Sequence, residues 1–282
     1  IALSLVLDTT GSMAGDAVLG CPSCGDKLSS LKKAAKSFIE KFDENIDRLA
    51  VVSFAASGVL QHSIGEKFDK EQLYKKIDTL VADGGTGIRA GLYTARMDLQ
   101  NSEYREELHK FKRVVVLITD GAPSLLDEVN PTVNYPAGCT YLAYNIPGDV
   151  YPNIRPQAQF EGLLEAEQIR EDGIKIFTIG IGLEDIAPKR HGAEAFQDSF
   201  DPYDSYTGYR PGEFSVKTIF LSHVANDPSD PQFKVEYPGG CAKTFDQTGA
   251  EPRGEFMFSP DASALKRFLD RIAKTILMRL TV

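Results

Sequence analysis

The chain has no apolar run near the roughly 20 residues needed to span a bilayer. It has no segment of signal-peptide type either. It also lacks an initiator methionine: Ile1 already stands inside an apolar run. The expectation is an excised piece of a longer protein whose upstream part is missing. Positive charge is in deficit, with 31 Lys and Arg against 40 Asp and Glu and a net charge of −9. Such a surface repels phosphate backbones, and no basic stripe offsets it, so nucleic acid is excluded as a partner. Histidine is scarce. His62, His109, His191 and His223 are dispersed and read as surface or helix-face residues rather than catalysts. No internal repeat or low-complexity tract is visible.

Cysteine is sparse as well. Cys21, Cys24, Cys139 and Cys241 all lie in Gly/Pro-rich stretches (GCPSCG, PAGC, PGGC) rather than in periodic segments. Cysteines so placed suggest disulfides and an oxidising compartment. The rival is a four-cysteine zinc site, for which Cys21-x-x-Cys24 supplies half the signature; the other two cysteines form no second such pair.

What is present suits a globular α/β protein. The 282 residues are 42% hydrophobic and 25% charged, enough for one large domain or two small ones. The runs 1–8 (IALSLVLD), 49–54 (LAVVSF), 113–119 (RVVVLIT) and 174–181 (IKIFTIGI) are β-branched and continuous, which predicts strands buried on both faces of a parallel sheet. His62–Ile64 is expected as an antiparallel edge strand. Helical spacing alternates with these runs. Leu28, Leu31, Ala35, Phe38 and Phe42 follow Asp26 as a cap. Leu73, Ile77 and Leu80 mark a second helix, and Ile88, Leu92 and Ala95 a third, opening at Thr86. Phe160, Leu163, Leu164 and Ile169 give a fourth, stopped at Gly173. Val216, Ile219, Phe220 and Val224 give a fifth. Leu265, Phe268, Leu269 and Ile272 give a last one, opened by Ser259-Pro260. This alternation predicts a doubly wound, mostly parallel sheet flanked by helices. The chain is read as a single domain, 1–282, with long loop insertions at about 122–156, 184–213 and 227–253.

In such a sheet, ligands bind beyond the carboxyl ends of the strands, near a switch point. Three polar clusters fall there: Asp8-Thr9-Thr10-Gly11-Ser12 after the first strand, Thr119-Asp120-Gly121 after the 113–119 strand, and Gly84-Gly85-Thr86 opening a helix. Mg²⁺ takes hard oxygen ligands in near-octahedral geometry and gives up its waters reluctantly. Asp8, Thr10, Ser12, Thr86 and Asp120 supply carboxylates and hydroxyls without fully neutralising the ion. The alternate spacing at 8, 10 and 12 lets one loop aim three side chains at one point. Thr9 is expected to point away, and Gly11 has no side chain.

At these residues the chain resembles the von Willebrand factor A (vWA) family. That family's metal-ion-dependent adhesion site (MIDAS) reads D-x-S-x-S, then a loop Thr, then an Asp after a later strand. Thr10 departs from the usual Ser but keeps the hydroxyl. The resemblance covers about 1–121 and 157–182 well, 214–226 and 255–282 less closely, and omits the insertions. It implies a vWA/Rossmann-like fold and a divalent metal, Mg²⁺ with Mn²⁺ or Ca²⁺ as alternatives. It also implies a non-enzymatic adhesion module that captures a carboxylate of a protein ligand. The segments 221–227 (LSHVAND), 256–262 (FMFSPDA) and 276–281 (ILMRLT) are similar to bacterial TadG-type (Flp pilus assembly) members. Those act outside the cytoplasm, at the cell surface or in the periplasm, behind an upstream membrane anchor. That setting favours disulfides paired Cys21–Cys24 and Cys139–Cys241 among the three pairings possible.

Other readings stand beside this one. Asp8-Thr9-Thr10-Gly11-Ser12 also resembles the D-K-T-G-T loop of haloacid-dehalogenase relatives, in which the Asp is a nucleophile and Mg²⁺ assists phosphoryl transfer. Here Thr9 replaces the Lys, and Ile118–Pro123 offers one acid where that class needs two. Ser12 does not sit in G-x-S-x-G. Tyr135, Tyr141, Tyr144 and Tyr151 in one insertion, and Tyr203, Tyr206 and Tyr209 in another, suit an interface or simple packing of the loops equally. Asp198, Asp201 and Asp204 offer a second cation site by charge but lack EF-hand spacing, and a solvated acidic loop is the simpler account.

Overall fold

The computed structural model describes residues 1–16, 25–101, 103–121, 125, 154–181, 216–227, 252–259 and 262–278. Its elements run in chain order as β1 (Ala2–Asp8), α1 (Lys27–Ile39), β2 (Arg48–Phe54), β3 (Gly58–His62), α2 (Lys70–Asp78), α3 (Ile88–Leu99) and α4 (Arg105–Leu108). They continue as β4 (Arg113–Thr119), α5 (Ile154–Glu171), β5 (Lys175–Ile181), α6 (Val216–Ala225), β6 (Glu255–Ser259) and α7 (Ala262–Met278). The six strands form one sheet in the order β3-β2-β1-β4-β5-β6. Every neighbouring pair is parallel except β2 with β3.

The side-chain period of two divides the core between the two faces of the sheet. Leu3, Leu5 and Leu7 of β1 join Val51, Val116, Ile118, Phe177 and Ile179 under α1, α2 and α7. Ala2 and Val6 join Val52, Phe54, Val115 and Leu117 under α3, α5 and α6. Both faces of the central strands are therefore dry, which is why their sequences read as unbroken apolar runs. Phe54 leaves no room on α3: a Cβ on Gly91 would lie 2.8 Å from its ring.

Local signals set the helix ends. The Asp26 carboxylate accepts the Ser29 N–H at 2.6 Å at the start of α1, and Asp69 accepts the Gln72 N–H at 2.9 Å at the start of α2. Both satisfy first-turn amides that have no partner inside the helix. After α5, Gly173 takes the left-handed conformation (φ +74°) and the Ile174 N–H returns to the Ile169 carbonyl at 3.1 Å, closing the helix.

Four boundaries differ from the sequence reading. The edge strand is Gly58–His62, not His62–Ile64. Ser63 Oγ and the Ile64 N–H instead bond the Asp98 carboxylate on α3, at 2.6 and 2.8 Å, which draws the chain off the sheet. Ser259 does not open the last helix; it ends β6, paired with Ile181, and Pro260 lies outside the described residues. Helix α3 begins at Ile88 after Gly87, two residues beyond Thr86. Residues 154–156, assigned to an insertion, already belong to α5.

The rest of the insertions 122–156, 184–213 and 227–253 lies outside the described residues, apart from Leu125, Asp227 and 252–253. All four cysteines, the insertion tyrosines and Asp198, Asp201 and Asp204 lie outside as well. The ends of the third insertion do meet. The Gly254 N–H bonds the Ala225 carbonyl at 2.8 Å, and the Phe256 N–H bonds Asp227 Oδ2 at 3.0 Å. Among the described residues no helix is long and apolar enough to cross a membrane.

Candidate metal site

The strands β1 and β4 are parallel neighbours, with Leu7 in register with Ile118. From β1 the chain passes to β2 on one side, while β4 lies on the other. Their carboxyl ends thus flank the switch point, the place where open α/β sheets bind their ligands. Asp8 is the last residue of β1, and Asp120 follows Thr119, the last residue of β4.

Asp8 is fully buried and held at both oxygens. The Thr10 N–H donates to Oδ1 at 2.7 Å, and Thr119 Oγ1 donates to Oδ2 at 2.5 Å. The chain then winds through a 3-10 turn, Gly11–Ala14. That turn brings Thr10 Oγ1 to 3.0 Å from Ser12 Oγ. Ser12 Oγ in turn donates to Asp120 Oδ1 at 2.7 Å. Thr9 points away, as its position between the other two requires. Its N–H and Oγ1 both donate to the Phe54 carbonyl, at 2.8 and 2.9 Å.

Thr86 comes from a separate loop that is tied to the first by main chain. The Gly11 N–H bonds the Gly84 carbonyl at 2.8 Å, and the Asp83 N–H bonds the Thr9 carbonyl at 2.9 Å. Gly84 makes this crossing with φ +76°, a conformation other residues adopt only with strain. Thr86 itself is buried, and its carbonyl accepts the Leu125 N–H at 3.1 Å. The structure therefore links Asp8, Thr10, Ser12 and Asp120 directly, and places Thr86 on the loop bonded to them.

Two residues at this site were given no role of their own in the sequence reading. Thr119 orients Asp8, and its place directly before Asp120 at a strand end was the available signal. Lys27 is the other: its Nζ lies 2.9 Å from Asp120 Oδ2. Nothing in the sequence marks it, because the chain between Ser12 and α1 conceals how near the two lie.

The electrostatics favour a cation. Burial, and then the negative charge of Asp120, push the Asp8 carboxyl up to about 6, against the opposing pull of its bonds from Thr119 and Thr10. A pair of buried carboxylates fringed by hydroxyls is a hard-oxygen donor set matched to Mg²⁺, Mn²⁺ or Ca²⁺. Among the described residues no three His, Cys, Asp or Glu side chains converge; the four cysteines of the zinc alternative lie outside those residues.

Comparisons with known proteins find the same fold elsewhere. The chain shares its fold with the PilB minor pilin from Streptococcus sanguinis, at 18% identity and a TM-score of 0.58 over 99% of this chain and 61% of that one. It also shares it with an aerotolerance-related membrane protein from Bacteroides fragilis, at 14% identity and 0.51 over 98% and 99%. A third is proximal thread matrix protein 1 from the mussel byssus, solved with a zinc-occupied MIDAS motif, at 16% identity and 0.51 over 97% and 45%. The chain thus spans less than half of the mussel protein and about three-fifths of the pilin. Identities this low establish the fold alone. No curated protein matches the chain. The family model that does match describes a von Willebrand factor type A domain, and the residues it covers, 3–122, contain Asp8, Thr10, Ser12, Thr86 and Asp120.

Proposed function

We propose that the chain, read as one domain over 1–282, is a metal-dependent protein-binding module without catalytic activity. Asp8, Thr10, Ser12, Thr86 and Asp120 hold a divalent cation, Mg²⁺ by its donor chemistry, and the cation captures an acidic group of a partner protein. The observation that carries this is the continuous contact Thr10–Ser12–Asp120, which joins two loops at the carboxyl ends of β1 and β4. The bound ion supplies a Lewis-acidic centre that a carboxylate can enter. The residues leave it electrophilic because hydroxyls donate weakly and only two of the five side chains are anionic. The metal-occupied site of the mussel protein is consistent with this reading. A bacterial surface or pilus-assembly role outside the cytoplasm is part of this proposal, and a minor pilin and a membrane protein are among the chains that share the fold.

The haloacid-dehalogenase reading loses support at Thr9. The residue in the place of the required Lys spends its hydroxyl on the Phe54 carbonyl, facing away from Asp8.

A thermal-shift titration with Mg²⁺ and Mn²⁺ tests the proposal. The melting temperature should rise with metal by mass action, and Asp8→Ala and Asp120→Ala should abolish the rise. Wild-type protein that is folded yet indifferent to millimolar Mg²⁺ and Mn²⁺ would sink it. Mg²⁺-dependent phosphatase turnover lost in Asp8→Asn would replace it with the enzyme reading.

A further inference from the structure

Lys27 occupies a place where a cation is not expected. It is the first residue of α1, and the amino end of a helix dipole disfavours positive charge. Lysines near a surface ordinarily run their stems outward and keep the ammonium in water. Here the side chain is only 14% exposed, and its Nζ is 2.9 Å from Asp120 Oδ2, a carboxylate that is 2% exposed. The other Asp120 oxygen takes the Ser12 hydroxyl at 2.7 Å. Each oxygen of this one carboxylate thus has its own partner, and one of those partners carries a full charge.

We propose that Lys27 is a resident counter-charge that shares Asp120 with the metal, weakening cation binding while leaving the loaded site more positive. This rests on the metal-binding reading above and assigns it a determinant of affinity. The charges follow from the residues. Asp8 and Asp120 give a formal −2, and Lys27 raises this to −1. A divalent ion then leaves the site at +1, where the two carboxylates alone would leave it neutral. A cation in contact with Asp120 must also lie close to the ammonium, and in a site this dry their repulsion is poorly screened. Lys27 therefore trades metal affinity for attraction toward an anionic partner. It also gives the buried Asp120 carboxylate a charged partner in the fold when no metal is bound.

Calorimetric titration of Mg²⁺ and Mn²⁺ into wild type, Lys27→Met and Lys27→Arg tests this. Met keeps the stem and removes the charge; Arg keeps the charge. Lys27→Met should bind both metals at least ten-fold more tightly, and its melting temperature without added metal should fall below that of wild type. Lys27→Arg should stay within about three-fold of wild type. If Lys27→Met does not fold, Lys27→Gln takes its place with the same expectation. Equal or weaker metal binding by the neutral variants, against a wild type that binds, would overturn the counter-charge and leave the metal site standing. If neither wild type nor the neutral variants bind metal while folded, the metal reading itself fails and this inference with it.

Discussion

Thr119 Oγ1 reaches across the seam between β1 and β4 to donate to Asp8 Oδ2 at 2.5 Å. It accepts in return from the Gly121 N–H at 3.2 Å. One hydroxyl thus fixes the rotamer of the buried carboxylate and braces the turn that carries Asp120. Supporting contacts of this kind typically govern metal affinity by 10–100-fold. Thr119→Val keeps the shape and deletes both bonds. We expect Mg²⁺ affinity to fall by about ten-fold or more. Thr119→Ser should restore it. Calorimetry on the three proteins checks this, and a Thr119→Val protein that binds metal as well as wild type would remove Thr119 from the site.

Gly91 sets two effects against each other. Replacing a mid-helix glycine with alanine normally stabilises by about 1 kcal/mol. Here the new methyl would lie 2.8, 2.9 and 3.0 Å from Cδ1, Cγ and Cβ of Phe54, a fully buried residue. Cγ and Cβ cannot swing aside as a flexible tip could. Overpacking of this kind costs about 1–3 kcal/mol, so the clash should win, and Gly91→Ala should lower the urea midpoint. Because the Phe54 carbonyl anchors Thr9, the same variant should also weaken Mg²⁺ binding, which a purely local defect would not do.

How far the sequence could be read divides along physical lines. The strands β1, β2, β4 and β5 and most helices were legible because burial on two faces imposes continuous apolar runs, and burial on one imposes the helical period. The candidate site was legible because Asp8, Thr10 and Ser12 lie within five residues at the end of one strand, and Asp120 directly follows another of unmistakable pattern. What escaped depends on contacts distant in sequence. The edge strand was displaced because Asp98, 35 positions from Ser63, binds Ser63 and Ile64. Ser259 read as a helix start because its pairing with Ile181 leaves no local mark. Lys27 looked like any surface lysine, since its partner Asp120 lies 93 positions further along the chain.

His62 should make the fold sensitive to acid. Its side chain is buried, and burial holds the imidazole below its ordinary 6.5 despite the neighbouring Glu66 carboxylate. The unfolded chain therefore takes up a proton at His62 that the folded chain resists. Stability from this residue is complete above about pH 6.5 and declines as the pH falls toward the depressed folded value. The melting temperature should drop between pH 7.5 and 5.5, and His62→Gln should flatten part of that drop. An equal drop in the variant would assign the acid sensitivity elsewhere.

The cysteine proposal is independent of all of these. Mass spectrometry of unreduced digests should give Cys21–Cys24 and Cys139–Cys241 in protein made under oxidising conditions. The second bridge would close a loop long enough to stabilise by about 3–5 kcal/mol, so reduction should lower the melting temperature. Four free thiols would refute disulfides; a Cys21–Cys139 or Cys24–Cys139 link would refute only the pairing.

The two bonds that lace the loops together, Gly11 N–H to Gly84 O and Asp83 N–H to Thr9 O, are made wholly by main chain. No side-chain replacement other than proline deletes either one directly. The spacing between the Thr10 and Thr86 supports is therefore insulated from mutational drift at the residues that maintain it. Selection can then act on the five donor side chains without having to preserve a matching pair of partners in the scaffold. Gly84 is the exception, because its backbone angle, rather than any contact of its own, is what lets the two loops meet.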